Sequence, residues 1–327
     1  MTKCPKLEWL DCSFNRLVKL DMSKCPRLRE LLAAENKLTS LNLTGATKLV
    51  LLAIRNNSLR RLDLRTNKRL EDLTCGSNKL TELDMTGCAK LETLYCDDNR
   101  LTRLDVSKNG KLDWLTCAGN ALKALDVTGC KALTKLYCTK NRLKALDVTK
   151  NGKLVELGCA ANAIKALDVT GCKALKLLYC DENRLKKLDV SKNGALEQLS
   201  VSGNRLTSLD ISKNARLTKL DCSDNGIGAL DTGANTDLEQ LNAMDNRLTA
   251  LDVSRNAELQ FLYTSGNAIK ILDLKHNRTL RGYLKNKLWK EKDGVYWSFE
   301  GDDGLWGLGI DYVTTLTSGK KVLYQGR

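Results

Sequence analysis

The sequence predicts a repeat solenoid: short parallel strands stacked in about 13 coils and closed by a small β-rich C-terminal cap. Three observations carry that expectation. Leucine recurs at a constant spacing of 21 residues, from Leu7, Leu28 and Leu49 onward to Leu280. Thirteen copies of one unit run from Leu7 to Thr279 without an insertion. Inside each copy, apolar and polar residues alternate over two short stretches, the period of an extended chain.

One copy shows each element in order. Leu112-Asp113-Trp114-Leu115-Thr116-Cys117 opens it, and Asn120, Leu122, Leu125, Asp126 and Val127 follow. In the first stretch Leu115 and Cys117 point inward and Thr116 outward, because side chains alternate across an extended backbone. In the second, Leu125 and Val127 point inward and Asp126 outward. A coil with so few apolar residues cannot bury them alone. Stacking at about 4.8 Å per coil joins them into one core, on the order of 60 Å long over the whole array. Asparagine fills one column throughout, from Asn15, Asn36 and Asn57 to Asn267. An amide there needs partners for its donors and its acceptor. Backbone groups of its own and adjacent turns are the expected ones.

This unit, LxxLxCxxNxLxxLDVxxNxx, resembles that of the bacterial leucine-rich-repeat class with a 21-residue repeat, the IRREKO type. The resemblance spans residues 7–284. It implies a parallel-stranded solenoid used for recognition, usually in surface or secreted proteins, with no shared ligand and no catalytic residues. Departures at Ala33, Asn42, Ile54, Val201, Thr232, Ala243 and Thr264 are isolated. Two domains are expected, a solenoid over 1–284 and a cap or small β module over 285–327. The second loses the period and gains Trp289, Tyr296, Trp297, Phe299, Trp306, Tyr312 and Tyr324. GDDG at 301–304 and SGK at 318–320 read as turns between its strands. Residues 1–6 are too short to cap the other end, which points to further chain or a partner there.

Composition adds bounds. Apolar residues make up 42% and charged residues 28% of the 327, ordinary for a folded soluble chain. No run approaches the roughly 18 apolar residues of a membrane span. The opening MTKCPKLEWLDC has no apolar segment of a secretory signal. Residues 285–327 hold 7 Lys/Arg and 6 Asp/Glu, so the repeats carry +13 of the net +14. A basic balance favours acidic partners without naming one.

Candidate chemistry is sparse. Of the 13 cysteines, Cys12, Cys75, Cys96, Cys117, Cys138, Cys159, Cys180 and Cys222 share the inward column. Small buried hydrophobes suit that place, and no disulfide is expected. Cys25, Cys88, Cys130 and Cys172 fall in the turn before the next unit; the last three are two coils apart, beyond disulfide reach. Without a CxxC pair, and with His276 the single histidine, no metal site is expected. Reduced thiols suit a reducing compartment while the resemblance suggests the cell surface, so the compartment stays open. The Asp column (Asp21, Asp63, Asp84, Asp105 and onward to Asp273) stands two residues before Ser or Thr in most copies, a pattern of turn capping. No phosphate loop, nucleophile elbow or paired nucleophile and base is present, so neither catalysis nor a cofactor is expected.

Two features rise above scaffold. Residues 108–149 and 150–191 are identical at 31 of 42 positions. Eight of the 11 differences lie on or beside the outward positions of the first stretch, including Trp114 against Glu156, Lys135 against Leu177 and Lys140 against Glu182. A constant frame with one varied face marks that face for recognition. Its outward residues include Trp9, Tyr95, Trp114, Tyr137, Leu177, Tyr179, Phe261 and Tyr263, with Asp97, Asp98, Asp181 and Glu182 beside them. Large aromatic side chains anchor interfaces, so a protein or peptide partner is expected there. Separately, Lys123, Lys144, Lys165 and Lys186 occupy one column, with Arg100, Arg142 and Arg184 two columns away. Like charges about 5 Å apart gain nothing for folding. They read as a solubilising edge or, as the alternative function, a contact for a carbohydrate or polyanion.

Overall fold

The leucine that opens each copy has no solvent exposure: Leu28, Leu49, Leu70, Leu91, Leu112 and Leu133 are all at 0%. A computed structural model, which describes residues 4–285, 289–292, 295–300, 305–311, 315–318 and 321–324, shows how that comes about. The protein is a β-solenoid of stacked parallel strands. It divides into two units, Met1–Ile164 and Lys165–Arg327.

In the first unit the opening stretch of every copy makes a three-residue strand, from Trp9–Asp11 through Trp114–Thr116 to Glu156–Gly158. Neighbouring strands pair in parallel with a 21-residue offset, as Trp114 with Lys135, Leu115 with Leu136 and Thr116 with Tyr137. The central leucine points inward and is buried, and its two neighbours are half-buried on the outer face. The second stretch has the expected polarity, with Leu125 and Val127 buried and Asp126 exposed. It forms a ladder only at Lys19–Asp21 with Ser40–Asn42, and isolated bridges join Asp84, Asp105 and Asp126.

The second unit repeats the pattern from Leu177–Tyr179 to Phe261–Tyr263. Its C-terminal segment then adds to both edges of the last coil. Strand Leu305–Asp311 pairs in parallel with Phe261–Tyr263, and Val295–Glu300 and Trp289–Lys292 follow antiparallel. Strand Thr315–Ser318 pairs in parallel with Ile271–Asp273, and Lys321–Tyr324 joins it antiparallel. Ile310 and Leu316 are fully buried. Pairing of this kind covers the core edge that a solenoid leaves open. The turns expected at 301–304 and 319–320, and Tyr312, lie outside the described residues. One element was not anticipated: Arg278–Lys285 is an α-helix. Leu280 still fills the core place of an opening leucine, and the surrounding Arg, Leu and Lys are good helix formers.

The Asn column bolts successive coils together. The Asn120 amide donates to Cys117 O and Ala118 O in its own coil and to Cys96 O in the preceding one, at 3.0–3.2 Å. Its oxygen accepts the Leu101 N–H at 2.9 Å. Backbone groups of both turns are the partners, as expected. The residue before this asparagine is left-handed in all thirteen copies, from φ 55° at Phe14 to φ 74° at Gly266. Glycine takes that conformation without strain, while alanine and phenylalanine do not.

A second asparagine column went unassigned in the sequence. Asn67, Asn109, Asn151, Asn193, Asn214, Asn235, Asn256 and Asn277 are fully buried, in the place held elsewhere by Cys25, Cys88, Cys130 and Cys172. Each amide donates to two carbonyls of the coil before, as Asn193 does to Val169 O at 2.9 Å and Cys172 O at 2.8 Å. The oxygens of Asn67, Asn109, Asn151, Asn193, Asn214, Asn235 and Asn277 have no partner. Asn256 differs because Thr232, where most copies have valine, donates its hydroxyl to Asn256 Oδ1 at 2.7 Å. The isolated departure at Thr232 thus satisfies a buried acceptor.

Candidate recognition face

In the first unit the outward aromatics pack on one another. The Tyr95 and Trp114 rings meet edge to face with centroids 5.1 Å apart. The Lys135 ammonium lies 4.6 Å above the Trp114 ring and 2.9 Å from the Glu156 carboxylate. The Tyr137 hydroxyl donates to that same carboxylate. Burial pushes the Glu156 pKa upward, but the Tyr137 and Lys135 hydrogen bonds outweigh it and hold the group below its ordinary value. Glu156 stays charged and fixes Lys135 over the ring. The Trp114 indole N–H is buried without a partner. Asp97 is half-buried, 3.5 Å from the Arg55 guanidinium. Trp9, on the first strand, is 55% exposed. The varied positions Trp114, Lys135 and Glu156 therefore come together with Tyr95 and Tyr137, a coupling that single columns do not reveal.

In the second unit Leu177, Tyr179, Phe261 and Tyr263 are half-buried on the same outward columns. The Tyr179 hydroxyl donates to Gln198 Oε1 at 2.7 Å. Asp181 accepts from the Ser200 hydroxyl and from the Ser202 N–H at 3.1 Å. Asp221 accepts from the Ser223 hydroxyl at 2.6 Å and from the Asn242 amide at 3.1 Å. Between Tyr179 and Tyr263 lies a hollow whose polar lining is Gln198, Ser200, Lys219, Asp221, Gln240 and Asn242. The sequence reading passed over these six, since polar residues in a varied column stand out by neither size nor repetition. Their offset of 21 or 42 residues from Leu177 and Tyr179 was the available signal.

The remaining columns are scaffold. No disulfide links any described cysteine, and every thiol is buried except those of Cys4 and the first coil's Cys12, which are half-buried. Burial pushes the Cys117 thiol up to about 12 and the Cys130 thiol to about 11, so both stay protonated. In the Asp column Oδ1 accepts the N–H two residues on, as Asp126 does from Thr128 at 2.9 Å. The Thr128 hydroxyl adds a bond of 2.6 Å. Among the described residues no group of three His, Cys, Asp or Glu is placed to hold a metal ion. Lys123 and Lys144 in the first unit, and Lys165 and Lys186 in the second, are exposed. His276 is exposed too.

The domain of InlJ from Listeria monocytogenes, which includes a cysteine ladder, superposes with a TM-score of 0.81 and 34% sequence identity over 84% of this chain. The chain is a leucine-rich-repeat protein. It spans 62% of the InlJ domain's length. A leucine-rich-repeat protein of Leptospira interrogans matches 82% of this leucine-rich-repeat chain, and 74% of its own, at 26% identity and a TM-score of 0.73. The plant peptide hormone receptor RGFR1, solved in complex with RGF2, shares the fold at 22% identity and a TM-score of 0.67, over 83% of this chain and 55% of its own. No family model matches the sequence, and no curated protein does. No described helix is long and apolar enough to cross a membrane.

Proposed function

We propose that this leucine-rich-repeat protein is a non-catalytic recognition scaffold that binds a protein or peptide partner on its outward first-strand face. The observation that carries the reading is the packed cluster of Tyr95, Trp114, Lys135, Tyr137 and Glu156. These side chains stand on rigid strands and are already held in place, so a partner that covers them has little ordering entropy to overcome. They coincide with positions at which two near-copy segments diverge while their frame stays constant. The peptide complex of RGFR1 supports the reading only as an example of what such a fold accommodates.

Two triple variants test it on a polypeptide partner retained by the intact chain. Replacing Trp114, Tyr137 and Tyr179 with Ala is expected to leave the circular dichroism unchanged, since none is in the core, and to weaken the complex by at least about a hundredfold. Replacing Lys123, Lys144 and Lys165 with Glu is expected to change it little. The reverse pattern would move recognition to the lysine edge and favour a polyanion.

A further inference from the structure

The chain carries a net charge of +14, yet its first-strand face is acidic. In the second unit the face runs from the residue after each opening leucine to the left-handed turn. It holds seven carboxylates, on Asp181, Glu182, Glu197, Asp221, Asp224, Glu239 and Asp245, against the two lysines Lys176 and Lys219, a balance of −5. The same columns of the first unit hold eleven acidic and four basic residues, a balance of −7. The positive charge of the repeats therefore lies on the other columns, and this separation recurs coil after coil.

The acidic groups of the second unit differ in how they are neutralised. Glu197 is paired with Lys176 at 2.8 Å. Asp181 and Asp221, beside the Tyr179–Tyr263 hollow, are held by hydroxyl, amide and backbone donors, all neutral. Neither has an ion pair among the described residues. Burial raises the Asp181 pKa, and repulsion from Asp221 adds to the shift. Each carboxylate thus exists at some electrostatic cost that a cation arriving from outside would relieve. An arginine suits the place better than a lysine. Its planar fork meets a carboxylate through two parallel hydrogen bonds, and it stacks on tyrosine faces.

We propose that the first-strand face selects a basic partner: an extended polypeptide segment whose arginine side chains enter the hollow between Tyr179 and Tyr263 and pair with Asp181 and Asp221. This rests on the reading of that face as the recognition surface and adds the chemistry of its partner. It also sets the two faces in opposition, because a polyanion attracted by the exposed lysines would be repelled here.

The test uses the full chain and two fluorescent extended peptides, one alternating arginine with threonine and one alternating glutamate with threonine, followed by anisotropy at fixed salt. The arginine peptide is expected to bind and the glutamate peptide not. Asp181→Asn together with Asp221→Asn should weaken the arginine peptide by about tenfold or more. Lys219→Gln removes a like charge from the hollow and should tighten it by a few-fold, a change of opposite sign that loss of folding cannot imitate. Failure of the arginine peptide to bind, or binding indifferent to all three substitutions, overturns the proposal. Glutamate-peptide binding that disappears with Tyr179→Ala would also overturn it while leaving the face as the recognition surface. Arginine-peptide binding indifferent to Tyr179→Ala as well as to the carboxylate substitutions would count against both.

Discussion

A buried valine changed to threonine ordinarily costs stability, because the hydroxyl must find a partner in the core. In this protein the cost is expected to depend on what lies 24 residues further along the chain. Thr232 has Asn256 there and donates to its Oδ1 at 2.7 Å. Val169 faces Asn193, whose oxygen is buried without a partner, and the Asn193 amide meets Val169 O at 2.9 Å just as Asn256 meets Thr232 O at 3.0 Å. Val106 instead faces Cys130, whose thiol donates to Val106 O at 3.4 Å. The Thr232 hydroxyl also lies 3.1 Å from Asp252 O, so a threonine at either site has a carbonyl within reach. Only at Val169 does it also satisfy an orphaned acceptor, which is worth about 1–2 kcal/mol. Val169→Thr is therefore expected to be neutral or stabilising, Val106→Thr to be less stable than it by about 1–2 kcal/mol, and Thr232→Val to lose a similar amount. Long arrays need not unfold in one step, so hydrogen exchange at the Leu196 and Leu133 amides, bonded to Asn193 O and Cys130 O, reads each site locally. Urea midpoints supplement it. Equal penalties for the two valine substitutions would refute the reasoning.

Three further outcomes follow from the scaffold. Gly119 and Ala161 occupy equivalent left-handed turns, at φ 64° and φ 51°. Ala161→Gly should raise the urea midpoint by relieving about 1 kcal/mol of strain, whereas Gly119→Ala should lower it, since a Cβ there would meet Asp98 Oδ1 at 2.3 Å. The Asp-column carboxyls are held below their ordinary values by hydrogen bonds from the residue two positions on, Asp63 down to about 2. A depressed folded pKa stabilises above the unfolded value near 4, and that contribution fades as pH falls through the folded values, so the urea midpoint should drop steadily below about pH 4. A midpoint unchanged down to pH 2 would contradict this. Finally, Cys96, Cys117, Cys138 and Cys159 are fully buried and should resist alkylation until the coils open; rapid labelling of the native chain would reverse the inside–outside assignment.

The sequence displayed the frame because each coil poses the same physical problem. A leucine every 21 residues, an inward cysteine or its apolar substitute and an asparagine between the two stretches each recur thirteen times, and repetition exposes their roles. The buried asparagine column was harder to recognise because it alternates with cysteine and alanine, which fill the same space without the hydrogen bonds. The helix at Arg278–Lys285 begins where the period is about to end, so nothing repeated announces it. At the face, Tyr95, Trp114 and Tyr137 stood out by size, but the lysine that stacks on Trp114 and the glutamate that holds it did not. Lys135 and Glu156 acquire their places only when strands offset by 21 residues are laid side by side. Asp221 and Asn242 acquire theirs in the same way.

The central claim is that recognition occurs on the outward first-strand face. Hydroxyl-radical footprinting of the intact chain, with and without a bound polypeptide partner, tests it most directly, because oxidation reports side-chain accessibility residue by residue and aromatic side chains are reactive. Binding is predicted to protect Trp114, Tyr137, Tyr179 and Tyr263 while leaving Leu125, Val127 and the other buried residues of the second stretch unchanged. Protection confined to the columns of Lys123 and Lys144, with the four aromatics oxidised as in the free chain, would contradict the claim.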